Sequence, residues 1–312
     1  MNRRWNKSYS ALPPFSAVLF KPSRKKVLIL LLGALIYTGR GHGETGTPSY
    51  LNYNKETSRN RDAKILTVPE VEEGVPEAGK RVKIYLPEYP EAYYVLFLPY
   101  NFTNTVKFPV IFESPGNVYQ EVSSGLPDSA CLGYGISFGM DYIWVCVPFV
   151  DNTGHILRSF WDSDPLSSVN FWLAVLNDLN AKFRIDNDKI VLSGFSRGAI
   201  STSYVGNYND EISSKWAAYF AHSHFDGCCQ TLLGSTEERL NRIQKKKVLI
   251  SAGALGTAKK CSWEAYTKLS KEEYSVTYIE VPDLGHSPFW ILEDSGAAKE
   301  ARIWLRNLFP ED

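Results

Sequence analysis

Neither sign of charge is in excess. Lys plus Arg and Asp plus Glu both number 34. No basic face therefore points to nucleic acid, and no imbalance points to a charged membrane surface. A long hydrophobic run is missing as well. The apolar stretch at 27–37 has 11 residues, well short of the roughly 20 that a membrane helix needs. No Cys-x-x-Cys occurs, which excludes a zinc ribbon and a thioredoxin-type site. No cysteine closely follows the apolar stretch, so a lipid-anchored leader is excluded. No internal repeat is visible, and no low-complexity tract is long enough to matter.

What is present is an ordinary globular composition over 312 residues, 44% hydrophobic and 22% charged. That is ample for one large core. The N-terminus differs from the rest. Arg3, Arg4, Lys7, Lys21, Arg24, Lys25 and Lys26 precede the 27–37 run, and small residues follow it. A basic region, a short apolar region and small residues read as an export signal over 1–43, an uncleaved anchor being the other reading. Export makes the destination secreted or periplasmic, with no stable membrane partner once the signal is cleaved. Residues 44–76 are polar without hydrophobic periodicity and read as a linker or N-terminal arm. Residues 77–312 read as the main folded domain. All five cysteines lie beyond the signal, at 131, 146, 228, 229 and 261. An oxidising compartment permits disulfides, and one of Cys228 or Cys229 pairing with Cys261 is the expectation.

The centre of the chain is Ile190-Val191-Leu192-Ser193-Gly194-Phe195-Ser196-Arg197-Gly198-Ala199-Ile200. Gly-x-Ser-x-Gly stands between a β-branched run and a helix-compatible one. A strand, a very tight turn and a helix are the frame of a nucleophile elbow. Gly194 and Gly198 are expected because strand and helix approach closely there. The turn would expose the Ser196 hydroxyl and aim the Arg197 N–H and the helix N-terminus at a developing oxyanion.

Around this stretch the pattern alternates. Strands are expected at 81–86, 92–99, 108–112, 142–147, near 216–221, at 247–251 and at 274–281. Asp164-Pro165 reads as a helix start. Val169, Trp172, Leu173, Leu176, Leu179 and Phe183 then mark one helical face. Further helices are expected to about Gly206, near 236–243, at 262–269 and at the C-terminus, where Ala301, Trp304, Leu305 and Leu308 share a face. Alternating strands and helices imply an α/β fold, a mostly parallel central sheet with helices on both faces. Sites in such sheets lie at the carboxyl ends of the strands. The elbow and the loops at 113–118, 222–227, 252–257 and 282–287 all fall at that edge.

From about Arg81 to Leu308 the chain resembles the α/β-hydrolase family. The marks are Gly194-Phe195-Ser196-Arg197-Gly198 and Gly285-His286 after the last strand. Together with 133–137, 142–145 and 222–227, the elbow is similar to a group of exported bacterial serine hydrolases. The resemblance implies Ser196 as nucleophile and His286 as general base, in the order nucleophile, acid, histidine. The usual loop for the acid has Gly256 instead. Asp226 is the expected acid, with Glu264 as the alternative, and Asp283 reads as structural. The oxyanion hole is assigned to the Arg197 N–H and to Asn117, with Val118 as second choice. His222 and His224 read as substrate contacts or as packing beside the site.

The resulting expectation is a secreted carboxylic ester hydrolase using no cofactor and no metal. Its partner would be a small-molecule or polysaccharide-linked ester, with tyrosine and tryptophan, 18 and 8 in number, suiting acylated carbohydrate. Two other readings stand beside it. His222-Ser223-His224-Phe225-Asp226 matches the start of a zinc-binding His-x-His-x-Asp-His motif, although Gly227 replaces the last histidine and the other histidines are few: His42, His155 and His286. The missing acid at Gly256 suits a degenerate hydrolase kept as a binding module.

Overall fold

The computed structural model describes residues 65–160, 164–225, 236–243 and 246–310. The expected export signal at 1–43 and the first part of the polar arm lie outside the described residues, as do Asp226, Cys228 and Cys229. Contacts divide the chain between Gly46 and Thr47, and every described residue belongs to the second unit.

The described strands are β1 (Val71–Glu72), β2 (Arg81–Leu86), β3 (Tyr89–Phe97), β4 (Phe108–Ser114), β5 (Ile143–Cys146), β6 (Phe149–Val150), β7 (Ile156–Leu157), β8 (Ile185–Phe195), β9 (Ala218–His222), β10 (Lys247–Gly253) and β11 (Val276–Val281). The helices are α1 (Leu132–Ser137), α2 (Leu166–Lys182), α3 (Arg197–Tyr204), α4 (Asp210–Ser213), α5 (Thr236–Asn241), α6 (Ala258–Lys271) and α7 (Gly296–Arg306). Among the described residues one large sheet runs β1-β2-β3-β5-β4-β8-β9-β10-β11, and β6 and β7 form a separate hairpin. β3 pairs antiparallel with β2 and β5. From β5 through β4, β8, β9 and β10 to β11 every pairing is parallel.

Side chains of a strand alternate between faces, and the elbow strand shows how this builds the core. Ile190 and Leu192 join one buried cluster with Val169, Trp172 and Leu176 of α2. Val191, between them, joins the other with Leu132 of α1 and Ala301 and Leu305 of α7. The expected apolar face of α2 is thus the buried one. Helix starts follow the local chemistry. The Asp164 carboxylate accepts the Leu166 N–H at 3.1 Å, and the Ser295 hydroxyl accepts the Ala298 N–H at 3.2 Å at the start of α7, each satisfying an N–H that the helix leaves open.

The end of the polar arm is not a free linker. The N–H groups of Ile65 and Leu66 donate to the Leu292 carbonyl at 3.0 and 3.1 Å. Val71 and Glu72 pair in parallel with Arg81 and Val82, and Leu66, Val68 and Val71 pack against the α7-side core. Composition missed this because main-chain hydrogen bonds carry the attachment. Cys261 is disulfide-bonded to a partner outside the described residues, while Cys131 and Cys146 are buried. Among the described residues no helix is long and apolar enough to cross a membrane.

Candidate active site

β8 ends at Phe195 and α3 begins at Arg197, so the turn between them is a single residue. Ser196 takes φ 55° and ψ −116°, a strained conformation for a residue with a Cβ. The glycines are required by the approach of backbone to backbone. A Cβ on Gly194 would overlap the main chain of Gly198, and one on Gly198 would overlap the Ser114 carbonyl oxygen. The Ser196 N–H donates to the His222 carbonyl at 2.9 Å, which ties the turn to the end of β9.

The loop after β11 brings His286 to this serine. Its Nε2 lies 2.8 Å from the Ser196 Oγ, although the residues are 90 apart in sequence. Phe195 and Tyr119 flank the imidazole at ring-centroid distances of 4.8 and 5.2 Å. Burial pushes His286 down to about 4, so the ring is neutral near pH 7 and its Nε2 can accept the serine proton.

The loop after β4 passes over the elbow so closely that a Cβ on Gly116 would meet the Phe195 ring at 2.9 Å and the Ser196 Cβ at 3.2 Å. Asn117, the next residue, is buried. Its side chain pairs with the main chain of Phe160, donating to the carbonyl at 3.3 Å and accepting the N–H at 2.8 Å. Only its backbone N–H could then face an oxyanion. Val118 is removed from that role, because its N–H donates to the Arg158 carbonyl at 3.0 Å. Arg197 is buried at the first position of α3.

A carboxylate that sequence reading left unassigned anchors this loop. Glu113, fully buried, precedes Ser114-Pro115-Gly116-Asn117. Its Oε1 accepts the N–H groups of Cys131 and Leu132 at 3.2 and 3.0 Å. Its Oε2 accepts the Gly133 N–H and the Trp144 indole N–H, both at 2.8 Å. Burial raises its pKa and the four donors oppose that rise. The sequence signal was an acid closing an otherwise apolar strand.

The two histidines expected as substrate contacts or as packing beside the site part company. His222 is fully buried and cannot touch substrate. Its ring Nε2 lies 2.8 Å from the Ser287 carbonyl, while Nδ1 lies 3.2 Å from the Trp290 Nε1 and 2.9 Å from the Ser251 Oγ. Both ring nitrogens are thereby occupied, which also takes His222 out of the zinc reading. Burial, with His286 and His224 adding smaller effects, pushes its pKa down to about 3. His224 instead stands beside the site, its ring centroid 5.7 Å from that of His286. Its φ is 148°, and its Nδ1 is buried without a hydrogen bond. Burial pushes its pKa down to about 4, with the His286 and Arg197 charges adding to the shift.

Of the acid candidates, Asp226 lies outside the described residues. Glu264 is half exposed on α6, with an oxygen 3.8 Å from the Lys260 ammonium. Gly256 lies against the loop that carries His286: a Cβ there would sit 3.7 Å from the Gly285 carbonyl carbon, with room to spare. A cleft of about 470 Å³ opens nearby, lined in part by Val68, Arg81, Val118, Ser123, Arg158 and Phe289. Neither Ser196 nor His286 lines it, but Val118 follows Asn117 and Phe289 lies three residues after His286.

No sequence-family model and no curated protein matches the chain. Solved structures do. A ferulic acid esterase is 15% identical with a TM-score of 0.54, over 73% of this chain and 96% of its own. A ferulic acid esterase from Anaeromyces mucronatus, solved in complex with ferulic acid, is 19% identical with a TM-score of 0.52, over 75% of this chain and 90% of its own. An esterase of Rhizomucor miehei is 12% identical with a TM-score of 0.51, over 86% of this chain and 92% of its own. At such identities the likeness speaks for the backbone. Sheet order, one-residue strand-to-helix turn and these neighbours agree that the chain has the α/β-hydrolase fold.

Proposed function

We propose that the chain is an exported carboxylic ester hydrolase that works through Ser196, His286 and Asp226. The observation that carries the reading is the 2.8 Å contact between Ser196 Oγ and His286 Nε2 at a one-residue elbow. The Ser196 hydroxyl donates to Nε2, and His286 takes that proton as the oxygen attacks the ester carbonyl. The N–H groups of Arg197 and Asn117 receive the negative charge on the carbonyl oxygen. Each such hydrogen bond is worth about 3 kcal/mol to the transition state. His286 then gives the proton to the departing alcohol, leaving an acyl group on Ser196. A water, deprotonated by the same imidazole, releases the acid and restores the serine. Asp226 is assigned to the His286 Nδ1–H, which it would hold in the tautomer that leaves Nε2 free to accept.

The substrate class we infer is an aromatic or short acyl group esterified to carbohydrate. Two of the structural neighbours are ferulic acid esterases, and the half-exposed ring of Tyr119 stands edge-on to His286 at the mouth of the site. The test is hydrolysis of p-nitrophenyl acetate and of a methyl hydroxycinnamate by the wild type, Ser196→Ala and Asp226→Asn. The expected result is activity in the wild type, reduced on the order of 10⁴-fold or more in both variants. A serine-reactive phosphonate on the same samples reads the elbow itself. Wild-type protein that neither hydrolyses nor labels would overturn the proposal in favour of a binding module.

A further inference from the structure

One buried, titratable side chain next to the site is used by no step of the proposed chemistry. We infer that His222 is a positioning residue that fixes the nucleophile through its main chain and the base through its ring.

His222 is the last residue of β9, and β9 lies between the elbow strand and β10. Its register partners are Phe195 on one side and Ser251 on the other. The carbonyl of His222 accepts the Ser196 N–H at 2.9 Å. Its ring reaches the opposite way, into the loop that carries His286. The Ser287 carbonyl, 2.8 Å from Nε2, can only accept, so Nε2 bears the proton. The Trp290 indole, 3.2 Å from Nδ1, can only donate, so Nδ1 is bare. The two contacts agree on one neutral tautomer. The Ser251 hydroxyl, 2.9 Å from Nδ1, becomes a second donor to it, and the Ser223 hydroxyl lies 3.2 Å from Nε2. The ring also stacks on Phe195, 5.8 Å away at an interplanar angle of 22°, while the Trp290 ring, 5.3 Å away, is tilted by 44°.

This arrangement explains why a histidine stands there. The position needs a flat ring to stack on Phe195. The ring must donate on one edge and accept on the other. Ser287 is buried, and without a donor its carbonyl would lack a partner in the interior. The Ser287–Pro288 peptide, one residue beyond His286, would then lose its anchor, and the imidazole would lose its aim at Ser196. A misplacement of about 1 Å at a reacting group costs on the order of 100-fold.

The inference rests on the esterase reading for its kinetic arm only. The experiment compares wild type with His222→Phe, which keeps a flat ring without nitrogens, and His222→Gln, whose amide N–H can reach the Ser287 carbonyl. Two quantities are read: steady-state kinetics on p-nitrophenyl acetate, and hydrogen exchange of the peptide spanning 284–289. The expected result is a fall in kcat of about 100-fold in His222→Phe with little change in KM. Exchange at 284–289 should quicken in the same variant, and His222→Gln should recover most of both. Wild-type kcat and exchange in His222→Phe would overturn the inference. So would equal losses in His222→Phe and His222→Gln, which would point to general packing. If His222→Phe does not fold, His222→Asn takes its place, because the shorter amide cannot reach Ser287. A wild type inert towards every ester, with exchange still released in His222→Phe alone, would sink the esterase reading and support the clamp.

Discussion

Burial makes the His286 imidazole hold its proton weakly. Burial alone brings it to about 4. A carboxylate on Nδ1 would stabilise the imidazolium and move it back up. As the proposed base, His286 works only when neutral, so kcat/KM should be full at high pH and be lost as pH falls through that pKa. Wild type is therefore expected to lose activity at a pH above 4. Asp226→Asn should carry that acid limb down towards 4 while lowering the plateau. A kcat/KM profile with p-nitrophenyl acetate checks this, and an unmoved limb would place the triad acid elsewhere. At this scale the sequence was readable where chemistry is local. Ser196, Gly194 and Gly198 belong to one short turn, and their spacing alone dictates its shape. For His222 packing and substrate contact could not be told apart, because its burial depends on which strands become its neighbours. The Asn117 side chain was not readable, because its partner Phe160 stands 43 residues away.

The elbow joins a strand to a helix with a single residue, and Gly198 lets α3 lie against the loop after β4. Gly198→Ala drives a methyl group into the Ser114 carbonyl. Both partners are main chain, so neither can rotate away. The expected cost is about 3 kcal/mol, the upper end for overpacking, with loss of activity because the Asn117 N–H is displaced along with the loop. Thermal or urea unfolding beside an ester assay would measure both. Unchanged stability in Gly198→Ala would contradict the close approach. Element positions were largely legible, since apolar periodicity marked β4, β8, β10 and α2. The arm at 65–72 was hidden because its attachment is made by backbone N–H groups, about which side-chain polarity says nothing.

For the whole molecule, what matters is how far apart the working parts are made. The proposed nucleophile follows β8, and its proposed base comes after β11, 90 residues later. Three parallel pairings, β8 with β9, β9 with β10 and β10 with β11, must close before the two can meet. Alternation of strands and helices announced the parallel sheet. The strand order that delivers His286 to Ser196 comes from long-range packing that no local pattern encodes.

The same spacing sets an order of events in time. Pairing strands that are distant in sequence is slow, because chain entropy is lost before contacts repay it. A chain diluted from denaturant should regain helix signal first and ester hydrolysis later, the lag measuring closure of the β8–β11 half. Recovery of both signals in one phase would show that the sheet closes as a single unit. A chain exported while unfolded would on this account be inert until its last strand had docked, so the distance between serine and histidine would itself postpone hydrolysis until after transport.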